Sequence, residues 1–191
     1  MARLLLAAVL LSVAAAAAAS PANNAAASSD LIRRSCRATQ YPSVCVQSLS
    51  TYRTSPPPRS PTELARAALV VSVDRARAAS SYVGRVCGPK ARAGPVRDCL
   101  ENMADSVGHL RDAAEEMGGG MGRAGSPAFK WHLSNVQTWC SAALTDENTC
   151  LDGLSRGVDA STRSAIRGKV VEVAQVTSNA LALVNRVGPG Y

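Results

Sequence analysis

Four carboxylates, Glu101, Asp105, Asp112 and Glu116, recur at intervals of four and seven residues. On a helix these intervals place them along one face. Paired carboxylates run glycoside hydrolysis when two of them share a pocket at the right separation. A convex helix face in a small bundle supplies no such pocket, so the stripe reads either as a solvated face or as one that docks on a polar partner surface. Nucleophilic catalysis would need a Ser, Thr or Cys beside an orienting base, and no G-x-S-x-G elbow is present. The three glycines at 118–120 are not followed by Lys-Ser/Thr, so they read as a loop rather than a phosphate cradle. Trp131 and Trp139 fall two turns apart and read as core packing rather than a ligand platform. These readings predict a non-enzyme without a cofactor.

The six cysteines, Cys36, Cys45, Cys87, Cys99, Cys140 and Cys150, are the other reactive groups. None has C-x-x-C spacing, and His109 and His132 are the only histidines, too few to complete a zinc site with them. What decides between metal and disulfide is the compartment. Arg3 precedes an apolar run from Leu4 to Ala19 that ends in Ala17-Ala18-Ala19 before Ser20. Residues 1–19 therefore read as a cleavable secretory leader, with cleavage there or a few residues later. A membrane span needs roughly 20 apolar residues, and no run is long enough. An even cysteine count in an exported chain reads as disulfides.

Those cysteines must be held by something, and composition names it. The chain is 47% hydrophobic but only 4% aromatic, with Ala, Leu and Val supplying most of the apolar area. That balance favours helices over strands. The net charge is +7, from 21 Lys+Arg against 14 Asp+Glu. The arginines are scattered singly among acids with few aromatics to stack bases, which argues against a nucleic-acid partner. A weak, nonspecific attraction to acidic polysaccharide is what the charge leaves open.

Residues 20–29 are low in complexity and read as a flexible N-terminus. Asp30 opens an amphipathic stretch to Ala38, Tyr41-Pro42 breaks it, and a second stretch runs from Ser43 to about Ser50. This is a helical hairpin over 30–52, with Cys36 and Cys45 one on each arm and able to pair. A proline-rich connector at 54–58 leads to Ser60-Pro61-Thr62-Glu63, a capping box with proline at the first helical position. The long helix it starts ends near Cys87-Gly88-Pro89. A second runs from Pro95 to Met117 and a third from Ser126-Pro127 to Leu154, with room for a break at Thr145-Asp146. A fourth starts near Asp159 or Ser161. The predicted fold is all-α: an antiparallel up-and-down four-helix bundle over 60–188, preceded by the short N-terminal hairpin and stapled by disulfides, the whole domain covering 30–188. In that topology Cys99 and Cys150 stand at one height and are the preferred pair. Cys140 lies about 15 Å along its helix from Cys150. A Cys87–Cys140 bond then needs a bent helix, and the alternative is two buried thiols.

The motif Asn135-Val136-Gln137-Thr138-Trp139-Cys140-Ser141-Ala142-Ala143-Leu144-Thr145, followed by Asn148-Thr149-Cys150-Leu151-Asp152-Gly153-Leu154, resembles the plant pectin methylesterase inhibitors and the related invertase inhibitors. Asp98-Cys99-Leu100-Glu101, Asp105-Ser106-Val107 and Thr177–Leu183 carry the same likeness. So does the Cys36/Cys45 pair around Tyr41-Pro42, and the likeness covers nearly the whole mature chain. It implies a hairpin-plus-bundle fold with disulfides at Cys36–Cys45 and Cys99–Cys150; Cys87 and Cys140 are extra to the family pattern. It also implies that the second and third long helices cover the enzyme's pectin-binding cleft. The residues it implicates are Glu101, Asp105 and Thr149, and Asp112 and Thr145 on the same helices join them as candidates. Many members have an acid one turn beyond Asp105 where this chain has Gly108. The Pro-Lys-Phe loop associated with invertase inhibitors is missing, and Pro127-Ala128-Phe129-Lys130 is not its equivalent. The resemblance therefore points to a secreted inhibitor of pectin methylesterase in the apoplast or cell wall. The alternatives are an invertase inhibitor and a non-inhibitory wall protein that binds pectate. Similar sequence also forms a pro-region of pectin methylesterases, and this chain, ending at Tyr191, is expected to stand alone.

Overall fold

Proline and side-chain caps set where the long helices begin. The computed structural model describes residues 21–52, 56–89, 94–155 and 157–187; the expected leader at 1–19 lies outside them. Among the described residues the elements are α1 (Pro21–Cys36), α2 (Pro42–Thr51), α3 (Pro61–Cys87), α4 (Gly94–Gly118), α5 (Pro127–Gly153) and α6 (Ala160–Val184). Ser60 Oγ accepts from Glu63 N at 3.2 Å, and the Glu63 carboxylate reaches back to accept from Arg59 N at 2.7 Å. Ser126 and Asp159 cap α5 and α6 in the same way, from Phe129 N at 3.1 Å and Thr162 N at 2.9 Å. Each cap satisfies a backbone donor that the helix itself cannot.

The four long helices form a square bundle in which α4 and α6 each pack against both α3 and α5. Two apolar clusters fill it end to end. One gathers Leu64, Leu69, Met117, Phe129, Val136, Cys140 and Val184 with the hairpin residues Ile32 and Leu49. The other gathers Val83, Cys87, Val96, Met103, Leu110, Leu154, Ile166 and Val173. The hairpin α1–α2 lies across the ends of α3 and α6. It is closed by the Cys36–Cys45 disulfide. It is docked by Asn179 of α6, whose Oδ1 accepts from Tyr41 N at 3.0 Å and whose Nδ2 donates to Tyr41 O at 2.9 Å. Asn179 is buried, and Asn179→Ala strands both backbone groups. The expected cost is about 2 kcal/mol in chemical denaturation; an unchanged midpoint would show that the hairpin is held by its apolar contacts alone.

Four expectations change. Residues 21–29 are not a flexible tail but the first turns of α1, because alanine is the strongest helix former and Ser28 is buried against the fold. No break occurs at Thr145-Asp146; α5 is continuous, and the Thr145 and Thr149 hydroxyls donate to the carbonyls of Ser141 and Thr145 one turn back at 2.9 and 2.8 Å. Trp131 is not core: it is 62% exposed, because the buried stripe of α5 runs through Phe129, Leu133, Val136 and Cys140 and passes it by. Trp139 lies half-buried against the hairpin-end cluster. Finally, the Cys87–Cys140 bond does not form. Cys87 belongs to one apolar cluster and Cys140 to the other, and both are buried. Burial pushes the Cys140 thiol up to about 12, so it behaves as a small apolar group.

Candidate docking face

The Cys99–Cys150 disulfide joins the second turn of α4 to the last turn of α5. Two hydrogen bonds continue the register inward. Ser106 Oγ donates to Glu147 Oε1 at 2.8 Å, and His109 Nδ1 meets Asp146 Oδ2 at 3.0 Å. At the far end His132 Nδ1 lies 2.7 Å from Glu116 Oε1, which also accepts from Asn135 Nδ2 at 3.1 Å. These rungs hold α4 and α5 antiparallel as a rigid pair with one common outward face.

On that face stand Glu101, Asp105, Asp112, Thr145 and Thr149, all exposed. The register sets Thr149 and Thr145 roughly level with the stretch from Glu101 to Asp105. Glu101 is steadied by Arg97, whose Nε lies 3.0 Å from its carboxylate. Burial raises Asp146 above the usual carboxylate range; the His109 hydrogen bond opposes this, and the Asp105 charge adds to it. The structure thus brings Asp105 into electrostatic contact with Asp146 across the helix pair. A side chain at Gly108 would meet open space.

Asp112 sits further along, where it lines a depression of about 420 Å³ with Glu115, Glu116, Gly119, His132 and Trp139. Glu116 is the member of the stripe that turns inward: hydrogen bonds from His132 and Asn135 hold its carboxyl below the usual range. The threonine hydroxyls are occupied by their own helix, so Thr145 and Thr149 present methyl groups and hydroxyl acceptor lone pairs outward.

The reading from sequence did not single out Glu147. It is 0% exposed, and its Oε1 accepts from Ser106 of α4 at 2.8 Å and from Thr177 of α6 at 2.8 Å. Its Oε2 is buried with no hydrogen-bond partner among the described residues. Burial outweighs both hydrogen bonds and pushes its carboxyl up to about 7. A signal existed in the sequence: Glu147 falls on the period of Val136, Cys140, Ala143 and Cys150, all buried. Sealed from solvent, it cannot meet a substrate, and the carboxylates that can are strung along a convex surface.

The sequence model of the plant invertase/pectin methylesterase inhibitor family matches residues 30–183. The chain is similar to pectinesterase inhibitor 9 of Arabidopsis thaliana, 45% identical over 158 residues that cover 80% of this chain and 78% of that protein. It is similar to a 21 kDa protein of Daucus carota, 44% identical over 162 residues, 82% of this chain and 83% of that one. Its fold is like that of a crystallised pectin methylesterase inhibitor from Arabidopsis thaliana, with a TM-score of 0.53 at 22% identity, covering 84% of this chain and 98% of the other.

Proposed function

Because this chain belongs to the plant invertase/pectin methylesterase inhibitor family, we propose that it is a non-enzymatic protein inhibitor of a pectin methylesterase. The observation that carries the reading is the family match across the whole bundle, together with a relative of 45% identity named for inhibiting pectinesterase. The mechanism is non-covalent occlusion. The outward face of α4 and α5 lies over the enzyme's substrate cleft, with Glu101, Asp105 and Asp112 pairing with polar and cationic groups there. Thr145 and Thr149 pack between those groups. The helix pair is rigid before binding, so little ordering entropy is lost on docking. The partner is met outside the cell, once the leader at 1–19 has directed export into the wall.

Titrating a plant pectin methylesterase with the mature chain is expected to abolish its activity. Undiminished activity at about micromolar inhibitor, on the affinity scale of regulatory complexes, overturns the reading. An acid invertase assayed in parallel decides between the two targets of the family; loss of invertase activity alone would reassign the chain. The face itself is tested by Glu101→Ala/Asp105→Ala, expected to weaken inhibition about tenfold or more. Both side chains are exposed, so the melting temperature should not move. An unchanged inhibition constant would place the docking face elsewhere on the bundle.

A further inference from the structure

The net charge of +7 is not spread over the bundle. α3 and α6 together carry seven Lys/Arg against three acids, whereas α4 and α5 carry three against nine. The two helix pairs occupy opposite sides of the square. The molecule therefore has a cationic side facing away from the acidic docking face, a segregation that scattered arginines in the sequence did not announce.

The cationic side contains a groove of about 230 Å³ between α3 and α6, lined by Arg75, Ala79, Tyr82, Arg85, Lys169 and Glu172. Arg75, Tyr82 and Arg85 run along one face of α3 over about 15 Å, from the helical rise per residue. Alanine at its floor keeps the groove open, and the half-buried Tyr82 ring gives one wall an apolar surface. Lys169 Nζ lies 5.7 Å from the centroid of that ring. Glu172 sits between two cations, with Arg75 Nη1 at 3.1 Å and Lys169 Nζ at 3.8 Å. It orders both while neutralising only one charge, and Arg85 has no acidic partner among the described residues. What remains is an extended, ordered, net-positive groove with an aromatic ring beside it.

We propose that the α3/α6 groove, through Arg75, Arg85, Lys169 and Tyr82, binds an acidic polysaccharide of the polyuronate class. A linear array of cations beside a ring fits a chain of carboxylate-bearing sugars better than a single small anion. The cations pair with successive carboxylates while the ring packs on a sugar face. The choice of polyuronate rests on the inhibitor reading, since de-esterified pectin is the product of the target enzyme. Because the two sides oppose each other, polymer and enzyme can be held at once. The inhibitor is then concentrated where demethylation has already occurred, and the effective concentration of the tether, not a new contact, supplies the gain.

The test is binding of the mature chain to polygalacturonate at about 50 mM salt, where surface electrostatics are weakly screened. Highly methyl-esterified pectin and dextran sulfate serve as comparisons. Wild type is expected to bind polygalacturonate and to bind the esterified polymer far more weakly. Arg75→Glu/Arg85→Glu/Lys169→Glu should lose about tenfold or more in affinity. Arg34→Glu/Arg37→Glu/Arg123→Glu, with the same change in net charge on other exposed positions, should stay close to wild type. Should the groove variant lose its helical circular dichroism, the milder Arg85→Gln/Lys169→Gln gives the same reading at smaller amplitude. Equal loss in both charge-reversed variants, no binding of polygalacturonate, or binding of dextran sulfate only would each overturn the proposal. Methylesterase inhibition is measured on the same samples and should survive the groove substitutions. Groove-dependent polygalacturonate binding by a chain that inhibits no methylesterase would sink the inhibitor reading and leave the groove standing.

Discussion

Removing the Cys99–Cys150 disulfide by the double change Cys99→Ala/Cys150→Ala is expected to lower the stability of the bundle by about 4 kcal/mol, from the closure entropy of the loop. The bond links residues 51 apart in sequence, so its loss frees a long stretch of the unfolded chain that includes most of α4 and α5. Alanine is preferred to serine because both sulfurs are buried and a hydroxyl there would have no partner. For a domain whose whole stability lies at about 5–15 kcal/mol, this loss is large. The midpoint of guanidinium unfolding reads it directly, and a midpoint within error of wild type would mean that the α4–α5 rungs alone hold the pair. The Cys36–Cys45 bond, with a separation of 9, should matter less, at about 3 kcal/mol on the same scale. Its loss should be felt mainly as fraying of the hairpin. The first substitution should also weaken inhibition, since the bond fixes the end of the helix pair on which Glu101 and Thr149 stand.

The second large effect is a pH dependence written into Glu147. Its carboxyl is pushed up to about 7 in the folded protein from an ordinary 4.5. The folded state therefore holds a proton that the unfolded state has released between those two values. Stability contributed by this group is fully present below about 4.5, falls as pH rises through the window, and is lost above about 7. The span corresponds to a change on the order of 3 kcal/mol, with the protein more stable in acid. Ionising the group leaves a charge shared among Ser106, Thr177 and a buried Oε2 without a partner, which explains the direction. Melting temperatures of wild type and Glu147→Gln, followed from pH 4 to pH 8, separate this group from all others. The glutamine has the shape of the neutral acid and cannot titrate. Its profile should be flatter, with the two curves meeting at about pH 4 and separating progressively from about pH 5 upward. Parallel profiles would show that the carboxyl titrates normally and that water reaches it.

Much of this molecule is legible in its sequence. The Ser60, Ser126 and Asp159 caps, the prolines after the first two, and the apolar period of four long segments define helices through contacts no more than a turn away. Such contacts can be read from neighbours in sequence. The family motifs around Cys99, Trp139 and Cys150 then named the expected docking helices. The errors have a common origin in position around and along a helix. Two aromatics two turns apart share a face, which predicts Trp131 in the core, but the buried stripe of α5 is set by α4 and α6 and lies on another side. The alanines and serines at 21–29 looked structureless because nothing local shows the bundle end against which Ser28 packs.

The sequence by itself determined the four long helices and their caps, the helical class, and the inhibitor family. Local propensity, capping and motif spacing are properties of short stretches. Only the tertiary structure decided that Glu147 is sealed between Ser106 and Thr177, that Cys87 and Cys140 lie in different apolar clusters, and that the charges divide into an acidic α4–α5 side and a cationic α3–α6 side. Burial, dielectric and the summed field depend on residues tens of positions apart, and only packing brings those residues together.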